Sequence, residues 1–152
     1  MEHLNASLLS IRTFDKHRSN AIKCSNGPMF IPGGGAVLGF LFENLVVNQK
    51  AVAVAIEISK LTDNFPKGNY YLVDQINRAA ISISLNIAEG NGRFTQKDRN
   101  NFFYIARGSA FECVPLLKIL SAKKMIDEDK YAHLLSEIEA VSKMLSGLIK
   151  KY

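Results

Sequence analysis

Cysteine is scarce in this chain: its 152 residues include only Cys24 and Cys113, far apart and in unlike surroundings. With no CxxC pair and no Cys/His cluster, neither a disulfide framework nor a zinc site is expected. Cys113 lies in an apolar run and reads as a small buried thiol, and such thin use of cysteine fits a cytoplasmic protein. Charge is also modest, 19 basic against 14 acidic residues for a net +5, too little for a natively disordered chain. The 47% of hydrophobic residues suffices for the core of one domain.

Catalytic signatures are missing as well. There is no G-x-S-x-G elbow, and Gly33-Gly34-Gly35 is not followed by the Gly-Lys-Ser/Thr of a phosphate loop. No Glu-x-x-His pair offers bundle-type metal ligands. His133, flanked by Asp129 and Glu137, reads as a solvated side chain, and His3 and His17 form no constellation. No catalytic residue, metal or cofactor is expected, and no membrane partner.

Residues 1–37 form an irregular N-terminal extension, broken by Asn26-Gly27-Pro28 and Pro32-Gly33-Gly34-Gly35. Arg12, Lys16, Arg18 and Lys23 ahead of an apolar stretch mimic a signal peptide. The long polar lead, the three glycines and the lack of a small-x-small cleavage pattern argue against one, so poor order is expected there.

From 38 to 152 every long segment reads as helix. The first, about 38–61, carries Leu41, Leu45, Val52 and Ile56 on one stripe with Phe42, Val46 and Ala53 beside it, and ends at Asn64-Phe65-Pro66-Lys67-Gly68. The second, about 70–89, places Leu72, Ile76, Ala79, Ile83 and Ile87 inward, and Gly90 and Gly92, which can take positive φ at no steric cost, end it. The third follows a capping box Thr95-x-x-Asp98 and has Phe102, Ile105, Ser109, Cys113, Leu116 and Leu120 as its core stripe. Pro115 predicts a kink in it, and Gly108 a close helix contact. The fourth starts at Asp127 and shows the clearest seam, Tyr131, Leu134, Ile138, Val141, Leu145, Leu148 and Tyr152.

Short connections predict an all-α, antiparallel up-down-up-down four-helix bundle. The first and third helices carry a second apolar face, Phe103, Ala110, Val114 and Leu117 in the third. A monomer would leave that face in water, so a homo-oligomer is expected.

Two polar features remain. Asp74, Gln75, Asn77, Arg78, Asn86 and Glu89 punctuate the second helix and read as a structural network fixing register or subunit contacts. Residues 91–124 hold seven basic and two acidic groups, which concentrates the chain's positive charge in one segment. Arg93, Lys97, Arg99 and Arg107, joined by Lys123 and Lys124, are the candidate contacts to RNA or DNA phosphates, with Phe94 exposed among them. The alternative is a protein-interaction scaffold whose basic segment merely faces solvent.

The strings Asn64-Phe65-Pro66, Leu72 to Ala80 (LVDQINRAA), Ser82-Ile83, Asn86 to Gly90 (NIAEG) and Ala106 to Glu112 (ARGSAFE) are not anonymous. Over residues 42–149 the chain resembles the bacterial four-helix-bundle family named for proteins encoded in 23S rRNA intervening sequences. The resemblance implies a homopentamer without enzymatic activity. A related branch, the accessory proteins of diversity-generating retroelements, implies binding of nucleic acid and a reverse transcriptase by a basic pentameric barrel. Pro115 departs from the family pattern.

Overall fold

Helices α2 (Tyr70–Asn91) and α3 (Gln96–Ala122) are joined by four residues, α1 (Val46–Thr62) precedes them behind a 3-10 turn (Leu41–Asn44), and α4 (Glu128–Lys151) closes the chain. The computed structural model describes residues 40–151. The expectations for the 1–37 extension, for Cys24, and for Tyr152 in the last seam lie outside them.

Each helix packs on its two neighbours in a closed ring, α1 on α2, α2 on α3, α3 on α4 and α4 on α1, while the diagonal pairs stay apart. Direction follows from the cross-helix partners. Lys50 meets Glu137 whereas Glu57 meets Lys130 and His133, so numbers rise along α1 as they fall along α4. Ser82 meets Ser109 while Gly90 faces Phe102 and Phe103. Arg107 reaches Ser146 and Asn100 reaches Ile149. Neighbours therefore run antiparallel, and the chain goes up, down, up and down.

The core follows the expected stripes on two helices. Leu72, Ile76, Ala79, Ile83 and Ile87 of α2 and Leu134, Ile138, Val141 and Leu145 of α4 are buried. Helix α1 is rotated from expectation and α3 in part, since its expected Ser109, Cys113 and Leu120 are buried. In α1 the inward residues are Val47, Ala51, Val54 and Ile58, whereas Val52 and Ile56 are 40% and 50% exposed. The segment is apolar on both sides, so two phases of the 3.6-residue period compete. The observed phase puts Lys50 and Glu57 on the flank where α4 offers opposite charges. In α3, Phe103, Ala106, Ala110, Cys113, Leu117 and Leu120 are buried, and Ile105 is 51% exposed. Phe103, Ala110 and Leu117, expected on a second face, are thus core. Helix α1 also begins later than expected, because Leu45 is extended (φ −74°, ψ 119°) between the 3-10 turn and Val46.

The ends are set by local chemistry. Thr95 Oγ1 accepts from the Asp98 amide at 3.1 Å, forming the expected N-cap, and donates to the Asp98 carboxylate at 2.6 Å, so that carboxylate takes the Thr95 hydroxyl rather than the backbone amide of a full capping box. Asp127 stands just outside α4, its Oδ1 accepting from the Lys130 amide at 2.7 Å. Helix α3 runs unbroken through Pro115, which sits on its exposed side, and closes through Lys124 at φ 59°, with the Met125 amide donating to Leu120 O.

Gly92 keeps its expected role, while Gly90 and Gly108 exchange theirs. Gly92 ends α2 at φ −78° in right-handed conformation, and Gly90 lies inside the helix, buried. A Cβ on Gly90 would meet Phe102 Cβ and Phe103 Cε1 at 3.0 Å and Arg99 O at 3.1 Å. Gly108, expected at a close contact, has nothing within 4 Å of such a Cβ.

Opposite signs are therefore expected for one mutation at the two glycines, read by urea denaturation. Gly90→Ala destabilises by about 1–3 kcal/mol because rigid neighbours must shift, while Gly108→Ala stabilises by about 0.5–1 kcal/mol through helix propensity. A second expectation concerns the α1–α4 seam. Partial burial pushes the Glu57 carboxyl up, but hydrogen bonds and charge from Lys130 and His133 outweigh it and hold the pKa below its ordinary value of 4.5. Ionised Glu57 thus favours the folded state above the ordinary carboxylate range, and that contribution is lost as pH falls through its depressed pKa. Glu57→Gln should cost on the order of 0.5 kcal/mol at neutral pH, with the difference closing in acid; a gap that widens in acid would contradict the pairing.

Candidate nucleic-acid interface

The antiparallel ring sorts the charges to two ends of the bundle. One end gathers the close of α2, the start of α3 and the close of α4, because Asn100 Nδ2 of α3 donates to Ile149 O of α4 at 3.5 Å. It brings Lys150 and Lys151 to the side of Arg93, Lys97 and Arg99. The carboxylates there are Glu43, Glu89 and Asp98. The opposite end carries Lys60, Lys67, Arg78, Lys118, Lys123, Lys124 and Lys130 against Glu57, Asp63, Asp74, Asp127, Glu128 and Asp129, and carboxylates nearly balance its cations.

The six basic residues singled out from sequence therefore do not form one surface. Arg93, Lys97 and Arg99 cluster at the α2–α3 link. Arg107 lies further along α3. Lys123 and Lys124 close the far end of the same helix, about 39 Å from Lys97 at 1.5 Å per residue. Lys124 also serves the turn that ends α3. Lys150 and Lys151 were not among the residues singled out from sequence; antiparallel placement of the last two helices was the signal that would have found them.

Within the basic end, arginines and lysines differ in their duties. The Arg93 guanidinium lies 4.7 Å from the Phe102 ring centroid and pairs with Glu89 one turn back. Arg99 Nη2 donates to the Arg93 carbonyl at 3.2 Å. Arg107 donates to Ser146 Oγ at 3.3 Å and lies 5.5 Å and 5.8 Å from the Tyr104 and Phe111 centroids. Lys97 and Lys150 extend from exposed positions.

The polar residues of α2 separate into local groups rather than one network. Asn86 Nδ2 donates to Ser82 O and Oγ, and Ser82 Oγ meets Ser109 Oγ at 2.8 Å across the α2–α3 seam. Asn77 Nδ2 donates to Thr62 Oγ1 at 2.9 Å across the α1–α2 seam. Asp74 and Arg78 form an exposed pair at 3.8 Å, and Glu89 serves Arg93. Gln75 lines an open groove of about 250 Å³ with Arg78, Ala79, Ser82 and Glu112.

The described residues contain no group of three or more His, Cys, Asp or Glu able to hold a metal ion. Burial, with the charge of Glu112, pushes the Cys113 thiol up to about 12, so it is no nucleophile at neutral pH. No described helix is long and apolar enough to cross a membrane. The outward side of α2 and α3 is apolar instead: Ile81, Leu85, Tyr104, Ile105, Phe111 and Ile119 are all exposed, as are Val46, Val52 and Ile56 on α1.

Three comparisons bear on this arrangement. No curated protein matches the chain. Its fold is similar to the crystal structure of a protein of unknown function from the S23 ribosomal protein family of Bacteroides thetaiotaomicron VPI-5482. The two share 27% identity and a TM-score of 0.64, over 69% of this chain and 99% of that one. The model of the 23S rRNA-intervening sequence proteins matches residues 43–147, which takes in all of α1, α2 and α3 and most of α4. The chain therefore belongs to the 23S rRNA-intervening sequence protein family.

Proposed function

We propose that this protein is a non-enzymatic, cytoplasmic bundle that assembles with copies of itself, as a pentamer, and holds nucleic-acid backbones on its basic end. The observation that carries the binding reading is the joining of Lys150 and Lys151 to Lys97 and Arg99 through the Asn100–Ile149 contact. Cations from two helices on one surface raise the local field that a phosphate chain meets. Assembly is supported by the outward apolar residues of α2 and α3, a larger greasy surface than an isolated bundle leaves in water. Repetition of the basic end around an oligomer would convert a weak single site into avid binding.

Binding is tested with a generic oligonucleotide across a salt series. The double variant Lys97→Glu, Lys150→Glu should weaken affinity and flatten the slope of log K against log salt by roughly 0.7–0.9 for each phosphate no longer neutralised. Lys123→Glu with Lys124→Asn, which keeps a residue tolerant of the left-handed turn, should leave both unchanged. The reverse ranking would move the site to the other end. For assembly, light scattering should give about five times the 16.9 kDa chain mass, and Leu85→Lys with Ile105→Lys should return it to the monomer. A monomeric wild type would contradict the assembly.

A further inference from the structure

The link between α2 and α3, Gly92-Arg93-Phe94-Thr95, is braced from several directions. The Gly92 amide donates to Ala88 O and Glu89 O at 3.2 and 3.1 Å, and the Arg93 amide to Gly90 O at 3.1 Å. Arg99 holds the Arg93 carbonyl, Phe102 lies under the Arg93 guanidinium, and Thr95 caps α3. Amid these contacts Phe94 is 103% exposed. Single exposed apolar residues are ordinary, but this ring has no cover at all and stands on a link whose backbone is already ordered. Binding through it would cost little further conformational entropy.

The surroundings of the ring select its occupant. Arg93, Lys97, Arg99, Lys150 and Lys151 share this end of the bundle. A flat aromatic face beside cations matches an unpaired nucleotide, whose base stacks on the ring while its phosphates meet the positive charge. A continuous duplex keeps its base faces stacked on one another and has none free for Phe94. A hydrophobic pocket on a protein would account for the ring but not for the cations around it.

We propose that Phe94 is a stacking platform for an unpaired base, so that the ligand class of the basic end is single-stranded nucleic acid. This rests on the nucleic-acid reading of that end given above. The test uses the full chain with three labelled probes of about 20 nucleotides: oligouridylate, oligothymidylate and a blunt DNA duplex. Phe94→Ala should weaken single-strand binding by roughly 5- to 150-fold and leave duplex binding unchanged. Phe94→Trp should keep single-strand affinity. Because the chain has no tryptophan of its own, quenching of that variant's emission by the oligonucleotides reports stacking directly.

Loss with only one of the two single strands would support the platform and show that it distinguishes uridine from thymidine nucleotides. Wild-type binding with Phe94→Ala unaffected, or weakened equally on the duplex, would overturn the platform and leave backbone binding standing. A wild type that binds none of the probes would overturn both.

Discussion

The close approach of α2 and α3 at Gly90 is the constraint on which the described structure depends. With no side chain there, the first turns of α3 lie against the last turn of α2, with Phe102, Phe103 and the Arg99 carbonyl in the space a Cβ would need. That approach allows a link of only four residues. It also sets Phe102 beneath Arg93 and lets Arg99 reach back to the Arg93 carbonyl. The rigid geometry of the basic end is thus a consequence of core packing, and the Phe103 ring that anchors α3 in the core is the same one that contacts Gly90.

Charge follows from topology. In an antiparallel ring the close of α4 returns to the start of α3, and lysines at the end of the chain join cations some fifty residues earlier. Lys150 and Lys151 complement the negative end of their helix dipole and at the same time enlarge a positive surface. The arginines hold the link while the lysines face outward. At the other end, Asp127 caps α4 and Glu128 and Asp129 sit in its first turn, so carboxylates stand close in sequence to the lysines that close α3.

The helices α2 and α4 were legible in sequence because each has one regular apolar stripe that outweighs any other, so Ile76, Ile83, Ile138 and Leu145 are buried where periodicity places them, while Ile81 and Leu85 stay on the outward side of α2. Helices α1 and α3 are apolar on two sides, and periodicity alone cannot choose between them. Neighbouring charge partners choose for α1, and the Gly90 contact for α3. That ambiguity had a physical meaning: the face left outside is the apolar surface available for assembly. The segment from Arg93 to Arg99 was legible as a run of cations around an aromatic. Lys150 and Lys151 were not, because their adjacency exists only after folding, and Lys123 and Lys124 were grouped with the run because nearness in sequence conceals the length of α3. The residues that carried the family resemblance lie mostly on α2 and α3, inside the stretch that the family model matches.

Photo-crosslinking of a uridine oligonucleotide, with the linked peptides located by mass spectrometry, tests the central claim most directly. Crosslinks are expected in the peptides spanning 92–101 and 149–152, from the α2–α3 link and the close of α4. Crosslinks confined to 118–130, at the opposite end of the bundle, would contradict it.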